Sequence, residues 1–316
     1  MSQAKVSIAL GSIPCETGLA EGPHWDADRE ELFYVDVVHH SVFRYLPKEE
    51  ECYKVEIDAE DISVVVPVAR ERNKYIVAAG RTVQLIDWDG LSTTPSEAKL
   101  LHTVDDELPT NRLNDGKCDA HGRLWAGSMG EFDVKTGKVR LKKGSLYSFE
   151  GVLPEVHFGQ IDIANGLTWS PDNSVMYYID SNSGRLDAYD FNLESGTLSN
   201  RRTAYNFRSA GTLGLADGMT IDTNGNVWVA MFGGQGVVQI DPRVGKQIGL
   251  VEMYANRVTS VTFGGTNLDT LYITTAGAFM PNDKLEDFGL GAGQLYQAVN
   301  VGARGLSGGV SYAGII

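Results

Sequence analysis

Four polar side chains stand at the start of predicted β-strands that are far apart in the chain. They are Glu21 in EGPHWD, Asn114 in NDGK, Asn165 in ANGLTW and Asp217 in ADGMTID. Carboxylate and amide oxygens are hard ligands that suit calcium, and magnesium or manganese less strictly. Carboxylates brought to one point repel each other unless a cation lies between them. The residue types therefore indicate a divalent-cation site, if the fold brings them together.

These residues belong to a repeated pattern. Each copy has a short apolar strand, a turn rich in Asp, Asn and Gly, and a second strand of β-branched and aromatic residues. Equivalent positions lie 43 to 52 residues apart, at Glu21, Val65, Asn114, Asn165, Asp217 and Ser260. A period of about 40–50 residues with four strands per unit is typical of a β-propeller. The sequence therefore predicts an all-β fold, a six-bladed β-propeller, as a single domain over residues 1–316.

The propeller geometry would gather the polar residues. The first strand of each blade lines the central channel, so matching positions of different repeats meet at one rim. Two tryptophans at another shared repeat position, Trp125 and Trp228, are expected to pack between blades, and His24 is expected to be a packed side chain rather than a ligand. To protect its open edge, the ring should close by pairing residues 6–10 with the last blade.

A simpler interpretation of the polar motifs stays open. Asp-Gly and Asn-Gly pairs, such as Asp115-Gly116 or Asn165-Gly166, are ordinary turn residues. On this interpretation Asn114 and its equivalents stabilise backbone turns and have no chemical role. The coincidence of four such residues at one phase of the repeat favours the cation site over the turn.

Composition limits the partners of the protein. The formal net charge is −14, which argues against binding to nucleic acid or to anionic membranes. No apolar run approaches 18 residues, and the chain does not start with a basic and then apolar segment, so we predict a cytoplasmic protein. The three cysteines lack C-x-x-C spacing and are expected to be reduced thiols, some of them buried. We expect a monomer that binds a small-molecule substrate.

Taken in order, the motifs resemble those of a known family. EGPHWD, NRLNDGK, ANGLTWS, ADGMTID and VTSVTFGG are similar to motifs of the senescence marker protein/gluconolactonase/luciferin-regenerating enzyme family, in its insect-type branch, from about residue 16 to 276. The resemblance implies a six-bladed propeller with one divalent metal in the channel, held by Glu21, Asn165 and Asp217. It favours Ca²⁺, with Zn²⁺, Mn²⁺ or Mg²⁺ as alternatives.

The resemblance also implies contacts with the substrate. In lactonase members the Arg and Asn of an RxND motif contact a sugar lactone, and they match Arg112 and Asn114; an acidic contact is matched most nearly by Glu131 in GSMGEFD. Asp217 would ligate the metal and act as the base that takes a proton from the attacking water. The planar, permanently charged guanidinium of Arg112 suits hydroxyl groups and developing negative charge. Without the resemblance, Arg112 could equally be a solvated surface residue.

Three functions stay open at this point. The first is hydrolysis of a sugar-type lactone, and the second is luciferin-regenerating-like chemistry on a benzothiazole, which would need an apolar pocket over the metal. The third is a non-catalytic calcium-binding regulator. Because cation binding alone requires neither Arg112 nor Asn114, their presence favours an enzyme. Nothing in the glycine-rich segments resembles a phosphate-binding loop, so use of ATP or NAD is not predicted.

Overall fold

Six sheets surround a central channel in the computed structural model, which describes residues 5–8, 12–13, 15–234, 236–306 and 310–314. The first strand of each blade contacts the first strands of the two neighbouring blades, so that six inner strands form a closed ring. The predicted all-β, six-bladed propeller is confirmed. In the described ranges, no helix is long and apolar enough to cross a membrane.

The first three blades follow one another along the chain. Two short strands precede them, β1 (Lys5–Ile8) and β2 (Ser12–Ile13). Blade I contains β3 (Ala20–Asp26), β4 (Glu31–Asp36), β5 (Ser41–Leu46) and β6 (Glu51–Glu56). Blade II contains β7 (Ile62–Pro67), β8 (Lys74–Ala79), β9 (Thr82–Asp87) and β10 (Glu97–Thr103). Blade III contains β11 (Arg112–Cys118) and β12 (Leu124–Met129), then, after a rim hairpin of β13 (Phe132–Asp133) and β14 (Lys138–Val139), β15 (Gly144–Phe149) and β16 (Glu155–Ile161).

The last three blades complete the ring. Blade IV contains β17 (Ala164–Trp169), β18 (Val175–Asp180), β19 (Arg185–Asn192) and β20 (Thr197–Asn206). Blade V contains β21 (Leu215–Ile221), β22 (Val227–Phe232), β23 (Gly236–Asp241) and β24 (Lys246–Glu252). Blade VI contains β25 (Val258–Gly264), β26 (Thr270–Thr275) and β27 (Leu295–Ala298). Short helical turns occur at Ser181–Ser183, at α1 (Phe207–Ala210) and at Leu285–Phe288.

Repeated Asp–Trp pairs join the first turn of a blade to the core between blades. Asp119 accepts hydrogen bonds from two backbone N–H groups of its turn, and its Oδ2 accepts from Trp125 Nε1 at 2.8 Å. Asp222 does the same with its own turn and with Trp228 Nε1 at 3.0 Å. Both tryptophans are buried in clusters between blades, as predicted. The polar tip of each ring is thus satisfied while its apolar body fills the gap between two sheets.

The N-terminal segment closes the ring differently from the prediction. Residues 6–8 pair in parallel with β24 of blade V, whereas the last blade receives its outer strand from β2; residues 9–10 lie outside the described ranges. Since β2 occupies the free edge of β27, β1 pairs instead with the outer strand of the neighbouring blade V. Ile13 is buried against Trp25 and Leu295, in the cluster that joins blades I and VI.

Closure by β2 predicts that the side chain of Ile13 stabilises the whole ring. Replacing Ile13 by Ala should lower the free energy of unfolding by about 2–4 kcal/mol, because a buried isoleucine is truncated at the junction of two blades. Guanidinium-induced unfolding measures the loss. The exposed Val244 provides the control, and Val244→Ala should change stability by less than about 0.5 kcal/mol. Equal, small losses in both variants would show that β2 does not close the ring.

Candidate metal centre and substrate cavity

A β-bulge near the start of each inner strand positions the polar residues. In β3 the register shifts between Glu21 and His24, and in β17 and β21 it shifts across the residues that follow Ala164 and Ala216. A bulge places two residues opposite one and redirects a side chain. The Asn-Gly and Asp-Gly pairs therefore lie within strands, and the interpretation of these motifs as turns is wrong. Asn165 and Asp217 are the bulged residues themselves.

Glycine after each bulged residue lets neighbouring blades approach closely. A β-carbon at Gly218 would lie 2.0 Å from Ser260 Oγ of the next blade. A β-carbon at Gly166 would lie 2.7 Å from the carbonyl oxygen of Asp217. No side chain fits at either position, and the inner strands can meet around the channel only because these residues are glycine.

The six residues that the sequence singled out all line one cavity at the mouth of the channel. Its volume is about 1120 Å³. Lining residues from five separate strands or loops include Glu21, Arg112, Asn114, Glu131, Asn165 and Asp217. Residues up to 196 positions apart in the chain thus share one solvent space.

Electrostatics at the bottom of the cavity disfavour the negative charge of the two carboxylates. Burial, followed by repulsion from Asp217 and Asp115, raises the pKa of Glu21 well above its ordinary value. Burial and repulsion from Asp115 likewise raise the pKa of Asp217, although the neighbouring Asn165 side chain acts in the opposite direction. In the absence of a cation, this pair therefore tends to hold protons.

Backbone carbonyls fix the orientation of the two amides. Ser181 Oγ donates its only proton to the Ala216 carbonyl at 2.6 Å, so toward Asn165 it can only accept, and it does so from Nδ2 at 3.0 Å. Asn114 Nδ2 donates to the carbonyl of Ala164 at 2.7 Å. The nitrogen of Asn165 is thus held by the turn that follows β18, and the nitrogen of Asn114 by the inner strand of the next blade, which leaves the oxygen Oδ1 of each amide for a ligand.

The donor set fits a hard divalent cation. Asn165 Oδ1 and Asp217 Oδ1 are buried and accept no hydrogen bond from the described residues, a costly arrangement for polar atoms. With the Glu21 carboxylate they give oxygen donors from three blades, and oxygen-rich sets suit Ca²⁺ best. The described part of the chain has no group of three or more His, Cys, Asp or Glu side chains suited to a metal. An ion here would therefore depend on the amide oxygens as much as on the carboxylates.

Arg112 faces the same cavity. Its Nη1 donates to the Leu113 carbonyl at 3.1 Å, and its charge favours the ionised forms of Glu21 and Asp217. A further acid that the sequence analysis missed, Asp61, lies in the cavity wall; burial raises its pKa, while Arg112 opposes this effect. Asp61 immediately precedes the inner strand of blade II, and this position at a strand start is the sequence signal that could have identified it.

Below the candidate metal centre, the channel contains a second charged layer that sequence reasoning missed. Lys117 Nζ donates to the Met219 carbonyl at 2.8 Å and attracts Asp115, while burial lowers its pKa. Burial, with a smaller contribution from Lys117, lowers the pKa of His24 to about 3. His24 is therefore a neutral packed side chain, in agreement with the prediction. The pattern Asp115-x-Lys117 places both charges on the channel side of β11.

Part of the cavity mouth is apolar, in contrast to the floor, whereas charged residues such as Asp58, Glu60 and Arg81 line other parts of the wall. The rim hairpin of β13 and β14 lines one side, and the segment after β26 lines the other. Glu131 starts the hairpin and is exposed to solvent, which places this acid at the outer edge rather than on the floor. The apolar lining residues at the mouth are Met129, Phe132, Val134, Val139, Leu141, Leu215, Phe232, Phe279 and Met280.

Comparisons with known proteins agree with this architecture. A model of the SMP-30/Gluconolactonase/LRE-like region matches residues 19–277. Regucalcin of Xenopus laevis is 35% identical over 303 residues, which are 95% of this chain and 97% of that protein.

Two solved structures share the fold over nearly the full chain. Luciferin-regenerating enzyme has a TM-score of 0.88 at 34% identity, with 94% of this chain and 96% of that chain covered. A calcium-binding protein from Agrobacterium tumefaciens, named regucalcin, has a TM-score of 0.85 at 21% identity, with 98% and 99% covered. Together with the match over residues 19–277, these similarities show that the chain belongs to the SMP-30/gluconolactonase/LRE-like family.

Proposed function

We propose that this protein is a divalent-cation-dependent hydrolase that opens a lactone. One observation supports the proposal most directly: a single cavity contains two carboxyl groups with raised pKa values, two amides whose nitrogens already donate hydrogen bonds, and Arg112. The carboxyl groups are those of Glu21 and Asp217, and the amides are those of Asn114 and Asn165. Family membership supports this class of activity, since the family description includes gluconolactonase. A calcium-binding protein without turnover would need the oxygen donors but not Arg112.

Glu21, Asn165 and Asp217 would hold the ion, and Asn114 lines the same cavity. Ca²⁺ suits this set of oxygens best; Mg²⁺, Mn²⁺ and Zn²⁺ are alternatives. When bound, such an ion supplies Lewis-acid polarisation of a carbonyl oxygen. Its charge also relieves the repulsion that raises the pKa values of Glu21 and Asp217.

The side chains then divide the work of ring opening. Asp217 accepts a proton from the attacking water, whose oxygen forms a bond to the lactone carbonyl carbon. The bond between that carbon and the ring oxygen breaks, and the proton passes from Asp217 to the departing alkoxide. Glu21 stays a ligand. Arg112 and Asn114 hold the substrate, the first by planar N–H donors directed at hydroxyl or carbonyl oxygens.

The substrate class has two candidates. A sugar-type lactone is the first, and it uses Arg112, Asn114 and, at the outer edge, Glu131. An aromatic cyclic substrate, such as a benzothiazole, is the second, and the apolar mouth of the cavity favours it. The 34% identity to luciferin-regenerating enzyme supports this second candidate as well.

The proposed centre predicts stabilisation by calcium that depends on Asp217. Calcium at about a hundred times its Kd should stabilise the protein by about 2.7 kcal/mol, seen as a rise in melting temperature. Asp217→Ala should abolish the rise because it removes one of two carboxylate ligands. The control is Asp190→Ala, on an exposed ion pair with Arg202 of blade IV, which should keep the full rise. A full rise in Asp217→Ala would refute the ligand assignment.

Orientation of the Asn165 amide predicts a role for Ser181 in cation affinity. Ser181→Ala removes the acceptor that holds Nδ2, so the amide becomes free to rotate and the calcium Kd should rise about 10–100-fold. Calorimetric titration measures the change, and the exposed Ser199→Ala should bind as the wild type does. Unchanged affinity in Ser181→Ala would show that this hydrogen bond does not set the ligand.

Steady-state kinetics of two variants distinguish a residue that binds the substrate from one that takes part in the chemical step. Arg112→Ala should lower kcat/KM for gluconolactone while the calcium Kd changes by less than about threefold, since Arg112 is not a proposed ligand and its charge is a minor influence on Glu21 and Asp217. Asp217→Asn keeps an oxygen ligand but removes the base, and should lower kcat by about 10²–10⁴-fold. If calcium-loaded wild-type protein opened no lactone in a broad panel yet bound calcium, the non-catalytic calcium-binding role would replace the enzyme.

A further inference from the structure

Arg257 lies where blades V and VI meet at the mouth of the cavity. It directly precedes β25, and its backbone forms an isolated bridge with Phe232 at the end of β22. The N–H of Ala276, just after β26, donates to the Arg257 carbonyl at 2.8 Å. The backbone of Arg257 is thus fixed from both sides by strands of the propeller.

The guanidinium of Arg257 clamps the loop that follows β26. Its Nη1 and Nη2 donate to the two carboxylate oxygens of Asp283 at 2.6 and 3.2 Å, with exposed side-chain fractions of only 11% and 7%. Asp283 Oδ2 also accepts from the N–H groups of Phe279 and Met280 at 3.1 and 3.0 Å. Burial opposes the charge of Asp283, but these hydrogen bonds outweigh it and lower its pKa. One bidentate pair therefore fixes both the turn at 279–283 and its attachment to blade VI.

The same guanidinium is surrounded by three aromatic rings. Its central carbon lies 3.4 Å from the ring centroid of Phe288, 5.2 Å from that of Phe279 and 5.6 Å from that of Phe232. Phe288 belongs to the core of blade VI, whereas Phe279 and Phe232 line the substrate cavity. Cation–π attraction to a poorly solvated guanidinium fixes the position of each ring. Arg257 itself does not line the cavity.

The rim hairpin lies across from this wall. Residues 134–137 of the hairpin and residues 280–283 of the clamped loop enclose a small cavity of about 160 Å³ between them. Phe132, Val134 and Val139 of the hairpin line the substrate cavity. This part of the mouth therefore has apolar side chains from both the rim hairpin and the clamped loop. Of these two elements, the loop is the one that is held by a buried ion pair.

We propose that Arg257 is the positioning residue that determines specificity. By holding Phe232 and Phe279 in place, it maintains an aromatic wall that binds a flat apolar part of the substrate above the candidate metal centre. The substrate class that fits is a cyclic ester carrying a fused or attached aromatic ring. The kinetic test of this inference rests on the proposed hydrolase function, and a binding test distinguishes failure of the inference from failure of that function.

The experiment compares two lactones, dihydrocoumarin with a fused aromatic ring and gluconolactone without one, on calcium-loaded protein. Arg257→Met should raise KM for dihydrocoumarin about tenfold and change kcat by less than about twofold, because the lost contact is a binding contact to the apolar ring. Its kcat/KM for gluconolactone should stay within about twofold of the wild-type value. Arg257→Lys keeps the positive charge but loses the planar guanidinium, so its KM for dihydrocoumarin should lie between those of the wild type and Arg257→Met.

Two further variants guard against a general loss of structure. Phe279→Ala, which removes the wall but leaves the ion pair, should reproduce the rise in KM for dihydrocoumarin. Arg202→Met, which breaks an exposed ion pair on blade IV, should behave as the wild type. The inference is overturned if Arg257→Met and Phe279→Ala leave KM for dihydrocoumarin unchanged, or if they impair both lactones equally.

Binding of a lactam distinguishes failure of this inference from failure of the proposed function. The probe is 3,4-dihydroquinolin-2-one, which has the shape of dihydrocoumarin with an amide in place of the ester. Calorimetric titration should give a Kd about tenfold weaker for Arg257→Met than for the wild type. If neither lactone is hydrolysed but this difference is found, the hydrolase function fails and the aromatic wall stands. If the lactam binds both proteins equally, the role of Arg257 is refuted whatever the turnover.

Discussion

Close approach of the six inner strands around one axis is the constraint on which the molecule depends. Each inner strand must bulge near its start, and in blades IV and V the residue after the bulged one must be glycine because the next blade occupies the space of a β-carbon. In blades III, IV and V the bulges include Asn114, Asn165 and Asp217, and the ring shape brings these side chains and that of Glu21 to one cavity. The geometry that closes the fold therefore also builds the floor of the cavity.

This convergence carries an electrostatic cost. Glu21 and Asp217 are brought together with Asp115 below them, and burial raises the pKa of all three carboxyls. Lys117 offsets part of the charge in the lower layer. In the upper layer the nearest positive side chain is that of Arg112, which stands on the cavity side with the substrate space. The divalent cation of the proposed function would relieve this repulsion in the upper layer, and Asn165 Oδ1, which accepts no hydrogen bond from the described residues, is available to it.

Much of the fold and the floor of the cavity could be predicted from the sequence because both follow the repeat. The repeat spacing of 43 to 52 residues placed Glu21, Asn165 and Asp217 at one phase, and residues at the same phase of different blades lie at the same end of the channel. The turn interpretation of NDGK and ADGM was wrong because a bulge and a turn use the same Asp-Gly pair, and only the strand pairing on either side distinguishes them. Closure of the ring was assigned to residues 6–10, since short apolar segments on either side of residue 11 give the same sequence signal. The apolar mouth was not foreseen because residues 129–141 and 279–283 have no counterpart in the other repeats.

The two parts of the cavity depend on different interactions, and this separation has a consequence for how such a fold changes function. The floor is fixed by backbone contacts between blades, so a substitution there disturbs the ring. One side of the mouth is fixed by a side-chain clamp, Arg257 with Asp283, on the loop that follows β26. We therefore expect a change in the clamp or in the rim hairpin to alter which apolar groups fit over the centre while Glu21, Asn165 and Asp217 keep their positions. The buried oxygen donors and the apolar side chains of the mouth thus lie in separate elements of the fold, and a fold of this kind can keep one while the other changes.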